Sequence, residues 1–171
     1  MHDDADNRIA IRRARTSDVP GIKRLIDMYA PDRRLLTKPA VTLYETVQEF
    51  RVATRADSVV GCGAVHVFWR DLAEIRTVAV DPAMAGSGIG HRLVAELLDT
   101  ARDLGIRRVF VLTFEVDFFA RQGFAPIEDS PIDSSVYAEL LRSHDEGVAE
   151  FLDLQRVKPN TLGNTRMLKL I

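Results

Sequence analysis

The sequence has few of the features that mark secreted or membrane proteins. It contains one cysteine, Cys62, so no intramolecular disulfide can form and a reducing compartment is expected. No apolar run approaches the roughly 20 residues that span a bilayer. The acidic N-terminal stretch "MHDDADNR" has neither the basic nor the apolar region of a signal peptide. We therefore expect a cytoplasmic protein without membrane association, with residues 1–8 forming a disordered leader.

Charge and composition exclude further classes. The 23 Lys and Arg residues nearly balance the 25 Asp and Glu residues, which gives a formal net charge of -2 and no basic bias toward nucleic acid. His, Cys and Asp residues do not cluster at metal-ligand spacing, so no bound metal is predicted. A chain of 171 residues that is 46% hydrophobic suits one domain with a sizeable core, which we place at residues 9–171.

Hydrophobic periodicity predicts a mixed α/β domain, classed as α+β in some schemes. The first half is predicted to begin with a strand at 9–12 and a helix that starts after Ser17 or Asp18. A second helix is predicted to be opened by the capping box Thr42 with Glu45 and to end near Phe50. Three strands are then predicted at 51–55, 59–69 and 72–80. The short turns between these three strands suit an antiparallel meander.

The second half continues with alternating helices and strands. The predicted elements are a helix "HRLVAELLDTARDLG" with Gly105 as its C-cap, a strand "RRVFVLTF" buried on both faces, a short helix at 118–122, a weak strand at 124–127, a helical insert at 129–154 and a last strand at 166–171. The domain is therefore expected to be a mixed, mainly antiparallel sheet flanked by helices, with a helical insert before the last strand.

The loop "MAGSGIGH" between the strand at 72–80 and the following helix alternates three glycines. Glycine permits positive φ and close backbone approach, so the loop is either a tight turn or a nest of N–H groups at a helix N-terminus that binds phosphate. It lacks the lysine of a Walker loop, and its spacing differs from that of a dinucleotide-binding fingerprint. Spacing alone leaves the turn and the nest open.

The segments "VAVDPAMAGSGIGHRLV" and "FFARQGF" resemble the GCN5-related N-acetyltransferases (GNAT). This resemblance extends over nearly the whole chain and implies acetyl-CoA as co-substrate. It implies that the pantetheine arm bonds to the strand residues Val78, Ala79 and Val80. The implied pyrophosphate site is Ala85, Gly86, Ser87, Gly88, Ile89, Gly90 and His91. The family begins this loop with Arg or Gln, whereas Ala85 offers no such side chain, so main-chain donors carry the expected binding.

Three separated segments resemble the N-acetylglutamate synthases more narrowly, in particular the short form without an amino-acid-kinase domain. They are "GCGAVHVFWRDLAEIRTVAVDP", "RRVFVLTFEVDFFARQGF" and "VKPNTLGNTRMLKL". The resemblance implies transfer of an acetyl group to the α-amino group of L-glutamate or L-glutamine, the first step of arginine biosynthesis. The substrate residues implied by it or suggested by their position are Leu36, Lys38, Lys158, Asn160, Asn164 and Arg166. A homodimer is left open.

Acyl transfer to an amine requires a base, an acid and a donor to the carbonyl oxygen. Glu74 is the candidate base, because burial in the apolar strand "LAEIRTVAV" would raise its pKa. The alternative is a carboxylate that merely pairs with Arg76. Many members of the superfamily use a tyrosine acid where this chain has Phe119, which can only contact the cofactor. The synthases are thought to use a serine near the C-terminal strand, and the residue matched to it here is Thr165.

Two other functions remain open from the sequence. One is acetylation of a different amine, such as a protein N-terminus or another small molecule. The other is a non-catalytic acetyl-CoA sensor, which the absence of the loop Arg or Gln and of the acid tyrosine would favour. Retention of Glu74 argues for an enzyme.

Overall fold

The computed structural model describes residues 8–31, 35, 37–128, 132–145, 148, 151–152 and 164–171. Its helices and strands are β1 (Ala10–Arg13), α1 (Val19–Tyr29), α2 (Ala40–Glu45), β2 (Phe50–Arg55), β3 (Ser58–Trp69), β4 (Leu72–Val80), α3 (Ile89–Asp103), β5 (Arg108–Thr113), α4 (Val116–Arg121), β6 (Ala125–Pro126), α5 (Ser134–Leu140) and β7 (Thr165–Leu170). Residues 1–7 of the predicted leader lie outside the described residues.

Within the described residues, the strands form one seven-stranded sheet in the order β1-β2-β3-β4-β5-β7-β6. Each neighbouring pair among these strands is antiparallel except β4 with β5, which run parallel. The predicted meander of β2, β3 and β4 is thus confirmed. The connection from β4 through α3 to β5 is the crossover that a parallel pair requires. The predicted mixed, mainly antiparallel sheet is confirmed as well.

Helices cover both faces of the sheet. Leu97 and Val94 of α3 pack with Phe119 of α4 against one face, over residues such as Val109. α3 lies so close to β3 that a Cβ on Gly63 would be 2.7 Å from the Leu97 side chain. This close approach explains the need for glycine beside the fully buried Cys62.

The opposite face carries two apolar clusters side by side. Ile22 and Leu25 of α1 pack over β2 and β3 at one end. Leu140 of α5, with Val148 and Phe151, packs over Phe110 of β5 at the other. The insert is therefore attached to the same sheet face as α1, and the strip of sheet between the two clusters carries polar side chains.

The prediction for α2 is wrong at both ends. The helix begins at Ala40 and not after Thr42, because Pro39, with φ -60° and ψ 148°, occupies the N-cap position. Thr42 lies inside the helix, where its carbonyl accepts a hydrogen bond from the Thr46 hydroxyl at 2.7 Å. The α-helix ends at Glu45, and a 3₁₀ turn, Val47–Glu49, leads into β2.

Several other boundaries differ from the prediction by one or two residues. Gly105, predicted as the C-cap of α3, lies one position later, after the C-cap residue Leu104, and has φ +86°. α4 begins two residues earlier than predicted, at Val116. Asp18 precedes α1, yet its carboxylate accepts from the Arg15 backbone N–H at 2.7 Å and does not cap α1.

Candidate active site

A cleft opens where β4 and β5 separate. The two strands pair only from Leu72 to Glu74 on β4, opposite Arg108 to Phe110 on β5. Beyond that point they diverge around a cavity of about 410 Å³, lined by Ile75–Val80 on one side and Val111–Thr113 on the other. An extended ligand in this cleft can hydrogen-bond to the backbone edges that the missing strand pairing leaves exposed to it.

A β-bulge shapes the β4 side of the cleft. Between the pairs Cys62–Ala79 and Ala64–Arg76, two β4 residues, Thr77 and Val78, lie opposite one residue of β3. Thr77 has φ +59°, which is uncommon for a β-branched residue. Bulges re-aim backbone and side chains and are frequent beside active sites. The bulge therefore redirects the β4 backbone at the wall of the cavity.

The glycine loop closes one end of the cleft. Gly86 and Gly88 have φ of +77° and +79°, with open space where a side chain would begin. α3 begins directly after them, and the first N–H groups of a helix have no intrahelical acceptor. Ala85 and Gly90 line the cavity. Backbone donors and a helix N-terminus thus meet at the cavity, an arrangement that suits a phosphate group.

The other predicted cofactor residues lie around the same end. Val78, Ala79, Val80 and Phe119 line the cavity. Ser87 donates its hydroxyl to the Met84 carbonyl at 2.5 Å.

The side chain of Ile89 is buried in the core, so only its backbone can face a ligand. His91 hydrogen-bonds Gln122, and its ring centroid lies 4.8 Å from that of Phe118. These contacts hold the start of α3 in place.

Glu74 lies inside the sheet at the point where the strands part. Its side chain is buried, and its Oε2 lies 2.9 Å from Arg76 Nε. Burial raises the pKa of Glu74 above its ordinary value, although the nearby Arg76 charge opposes that effect. Glu74 does not line the cavity itself; the next residue, Ile75, does. A ligand in the cavity would therefore meet Glu74 only through a water molecule or a small displacement.

Five further charged or polar residues surround Glu74 on the same polar strip, and with it they form what we call the Glu74 cluster: Lys38, Glu49, His66, Arg76 and Asp145. Arg76 binds Asp145 through two nitrogens, at 2.8 and 2.9 Å. His66 Nδ1 lies 2.8 Å from Glu49 Oε1. Burial and the neighbouring Arg76 lower the pKa of Lys38.

The predicted substrate residues are only partly described. Leu36, Lys158 and Asn160 lie outside the described residues. Lys38 belongs to the Glu74 cluster, and Arg166 is placed on β7 with its guanidinium 6.0 Å from the Phe151 ring centroid.

The C-terminal strand places the predicted acid beside β5. Asn164 directly precedes β7, and Thr165 begins it opposite Thr113. Thr165 is not among the residues that line the cavity, whereas Thr113 is. The assignment of Thr165 as the acid stays a prediction.

Sequence reasoning missed three residues of the candidate site: Asp145, Glu49 and Thr113. Asp145 and Glu49 carry no local pattern that links them to Glu74, and only the fold brings them there. Thr113 is a hydroxyl residue at the end of an otherwise apolar strand. This pattern in the sequence could have marked it as a candidate site residue. Its Oγ1 accepts a hydrogen bond from the Glu115 backbone N–H at 2.8 Å.

Comparison with known proteins gives the family of the chain. A model described as the acetyltransferase (GNAT) family matches residues 22–124. The chain belongs to the GNAT family of acetyltransferases. Within it, the chain is 63% identical over 169 residues to the amino-acid acetyltransferase of Mycobacterium tuberculosis, and the match covers 97% of each chain.

Solved structures give the same result. Rv2747 from Mycobacterium tuberculosis, in complex with CoA and a second ligand, matches with a TM-score of 0.92 and 63% identity over 95% of this chain and 99% of that one. N-acetylglutamate synthase from Neisseria gonorrhoeae, complexed with coenzyme A and N-acetyl-glutamate, matches with a TM-score of 0.78 and 25% identity. That match covers 95% of this chain and 35% of the larger synthase.

Within the described residues, no group of three or more His, Cys, Asp or Glu side chains could hold a metal ion. None of the helices in this part of the chain is both long and apolar enough to cross a membrane.

Proposed function

We propose that this protein transfers the acetyl group of acetyl-CoA to the α-amino group of L-glutamate or L-glutamine. For glutamate, this is the reaction that opens arginine biosynthesis. The observation that carries the proposal is a buried carboxylate, Glu74, at the point where β4 and β5 separate to form a cleft. The full-length similarity to an amino-acid acetyltransferase supports the choice of an amino acid as acceptor.

The cleft is proposed to hold acetyl-CoA along its length. The pyrophosphate binds the backbone donors of the glycine loop, residues 85–91, at the start of α3. The pantetheine arm lies between the strands and bonds to the β4 backbone at Val78–Val80. Phe119 contributes an apolar wall to the same cavity. This arrangement brings the thioester toward the bulge at Thr77.

The chemistry requires no covalent intermediate on the enzyme. Glu74 accepts a proton from the substrate ammonium, through a water molecule, and the free amine attacks the thioester carbonyl carbon. A backbone N–H in the bulged part of β4 stabilises the oxygen charge that develops. The C–S bond then breaks, the attacking nitrogen gives up its second proton as the amide forms, and the departing thiolate takes up a proton. The raised pKa of Glu74 makes it a stronger base than an exposed carboxylate.

We propose that Thr113, and not Thr165, passes the proton to the thiolate, because Thr113 lines the cavity. Thr113→Val removes the hydroxyl with little change of volume and should lower kcat by about tenfold or more. Thr165→Val is the matched control on the neighbouring strand. Steady-state kcat values for both variants decide the matter, and a larger loss in Thr165→Val would favour the original assignment.

The amino acid is proposed to bind on the polar strip beside Glu74. Lys38 receives the α-carboxylate, since it belongs to the Glu74 cluster and no ion pair of Lys38 occurs among the described residues. Arg166 and Asn164, together with Leu36, Lys158 and Asn160, are the remaining proposed substrate residues.

Release of CoA thiol from acetyl-CoA, measured against a panel of amines, tests the proposed function. Glutamate and glutamine should support thiol release. We expect 4-aminobutyrate, which equals glutamate without the α-carboxylate, to support far less. Failure of both amino acids would overturn the proposal. Thiol release with another amine would indicate a different acceptor, and CoA binding without turnover would indicate a sensor.

A further inference from the structure

We propose that Asp145, in the insert between β6 and β7, is a positioning residue for the reaction: by holding Arg76 away from a hydrogen bond with Glu74, it keeps that carboxylate free to act as the base. The proposal rests on the proposed function for its catalytic consequence. It assigns to the insert a role in the chemistry in addition to its role in packing.

The first observation is the geometry of Arg76. Its two terminal nitrogens bond to the two carboxylate oxygens of Asp145, at 2.9 Å to Oδ2 and 2.8 Å to Oδ1. Such a bidentate pair fixes the plane of a guanidinium. Asp145 is itself held in place, because its Oδ1 also accepts from the Val148 backbone N–H at 3.0 Å. The orientation of Arg76 is therefore set by the insert.

The second observation is what this orientation leaves at Glu74. Glu74 Oε2 and Arg76 Nε are 2.9 Å apart, yet within the described part of the chain neither atom has a hydrogen-bond partner of acceptable geometry. A buried carboxylate oxygen next to an arginine would ordinarily accept a hydrogen bond from it. Here the best donors of Arg76 are occupied by Asp145, so the Glu74 oxygen keeps a lone pair available to a substrate proton.

The third observation is that the insert does not need this ion pair to stay attached. Leu140, Val148 and Phe151 are buried against Phe68 and Phe110. Removing one partner of a buried ion pair usually lowers stability, but Asp145→Asn keeps an oxygen toward Arg76, and Glu74 remains beside Arg76 to balance its charge. The apolar contacts of the insert should therefore hold the fold while the charge beside Glu74 changes.

The charges that face Glu74 come from four parts of the chain: Arg76 on its own strand, His66 on β3, Lys38 before α2 and Asp145 in the insert. Glu49 belongs to the same cluster but pairs with His66, so among the described residues Asp145 is the acid that acts most directly on Glu74. Asp145→Asn removes a negative neighbour and frees Arg76 to bond Glu74, and both changes favour the ionised carboxylate. The pKa of Glu74 should therefore fall.

The test is the pH profile of kcat/KM for the full-length enzyme. In Asp145→Asn, the acid limb should move to lower pH by about one unit. The plateau rate should fall by at most about tenfold, because the base becomes weaker. Asp145→Glu, which keeps the charge, should restore much of the wild-type profile. Arg76→Lys, whose ammonium cannot make the bidentate pair, should shift the limb in the same direction as Asp145→Asn.

Asp18→Asn is the matched control. It also breaks a bidentate pair, with Arg12 at 2.7 and 2.9 Å, but on the far side of β2 and β3 from Glu74. It should change the melting temperature without moving the acid limb. A profile of Asp145→Asn that overlays the wild type, whatever its melting temperature, overturns the inference.

A measurement independent of turnover separates this inference from the proposed function. The side-chain carboxyl of Glu74 can be titrated by carbon-13 NMR, with its signal assigned by its loss in Glu74→Gln. A lower titration midpoint in Asp145→Asn supports the positioning role even if glutamate and glutamine prove not to be substrates. An unchanged midpoint overturns it even if the enzyme is active.

Discussion

Replacement of Glu74 by glutamine is expected to lower kcat by about 10²- to 10³-fold, within the range that general-base catalysis usually contributes. Glutamine keeps the shape of the side chain but cannot accept the substrate proton. The cavity walls and the glycine loop are untouched, so the KM for acetyl-CoA should change little. Steady-state thiol release with glutamate or glutamine at saturating acetyl-CoA provides the measurement.

The matched control for this substitution is Glu139→Gln on α5. Glu139 is exposed and lies 3.7 Å from Arg142, which is also exposed, so loss of its charge should leave kcat unchanged. A Glu74→Gln enzyme with wild-type kcat would exclude Glu74 as the base. A parallel loss of rate in both variants would point to a general effect of charge.

The pH dependence of stability gives a second readout for Glu74. Its pKa is raised in the folded protein, so the folded state binds the proton more tightly than the unfolded chain does. This contribution to stability is present below the unfolded pKa and is lost as pH rises through the folded pKa. Above the folded pKa the ionised carboxylate is thus less favourable than the protonated one, and there Glu74→Gln should melt no lower than the wild type. A loss of activity in a stable variant is then a loss of chemistry.

Sequence reasoning located best the elements whose two ends are each marked by a single, unopposed signal. β4 begins and ends at the predicted residues, because its turn residues and Asp81-Pro82 limit it on both sides. α2 was misplaced because two helix-start signals competed. Pro39 fixes a backbone suited to an N-cap, and it prevailed over the capping-box pattern at Thr42.

The candidate site was predictable where it depends on one stretch of chain and not where distant stretches converge. The glycine loop and Glu74 are each marked by their immediate neighbours. The bulge at Thr77 is not, because a β-branched residue rarely adopts φ +59° and no local pattern predicts it. Asp145 reaches Arg76 from 69 residues away, and only tertiary packing of the insert brings the two together.

Replacement of Phe110 by alanine is expected to lower the free energy of unfolding by about 3–5 kcal/mol, the range for deletion of a buried aromatic ring. Phe110 is fully buried, and its ring centroid lies 4.1 Å from that of Phe151 and 4.8 Å from that of Phe68. Its removal leaves a cavity under the insert. Chemical denaturation measures the loss. The control is Phe114→Ala, an exposed aromatic that should cost less than about 1 kcal/mol.

Phe110 also matters for the chemistry, because it lies opposite Glu74 in the register of β4 and β5. Burial is the largest cause of the raised pKa of Glu74, and a cavity at Phe110 would admit water beside the carboxylate. The acid limb of kcat/KM in Phe110→Ala should therefore move to lower pH, together with the stability loss. Asp145→Asn should move the limb with a smaller loss of stability. If Phe110→Ala lost stability but kept the acid limb of the wild type, the aromatic cluster would hold the insert in place without excluding water from Glu74.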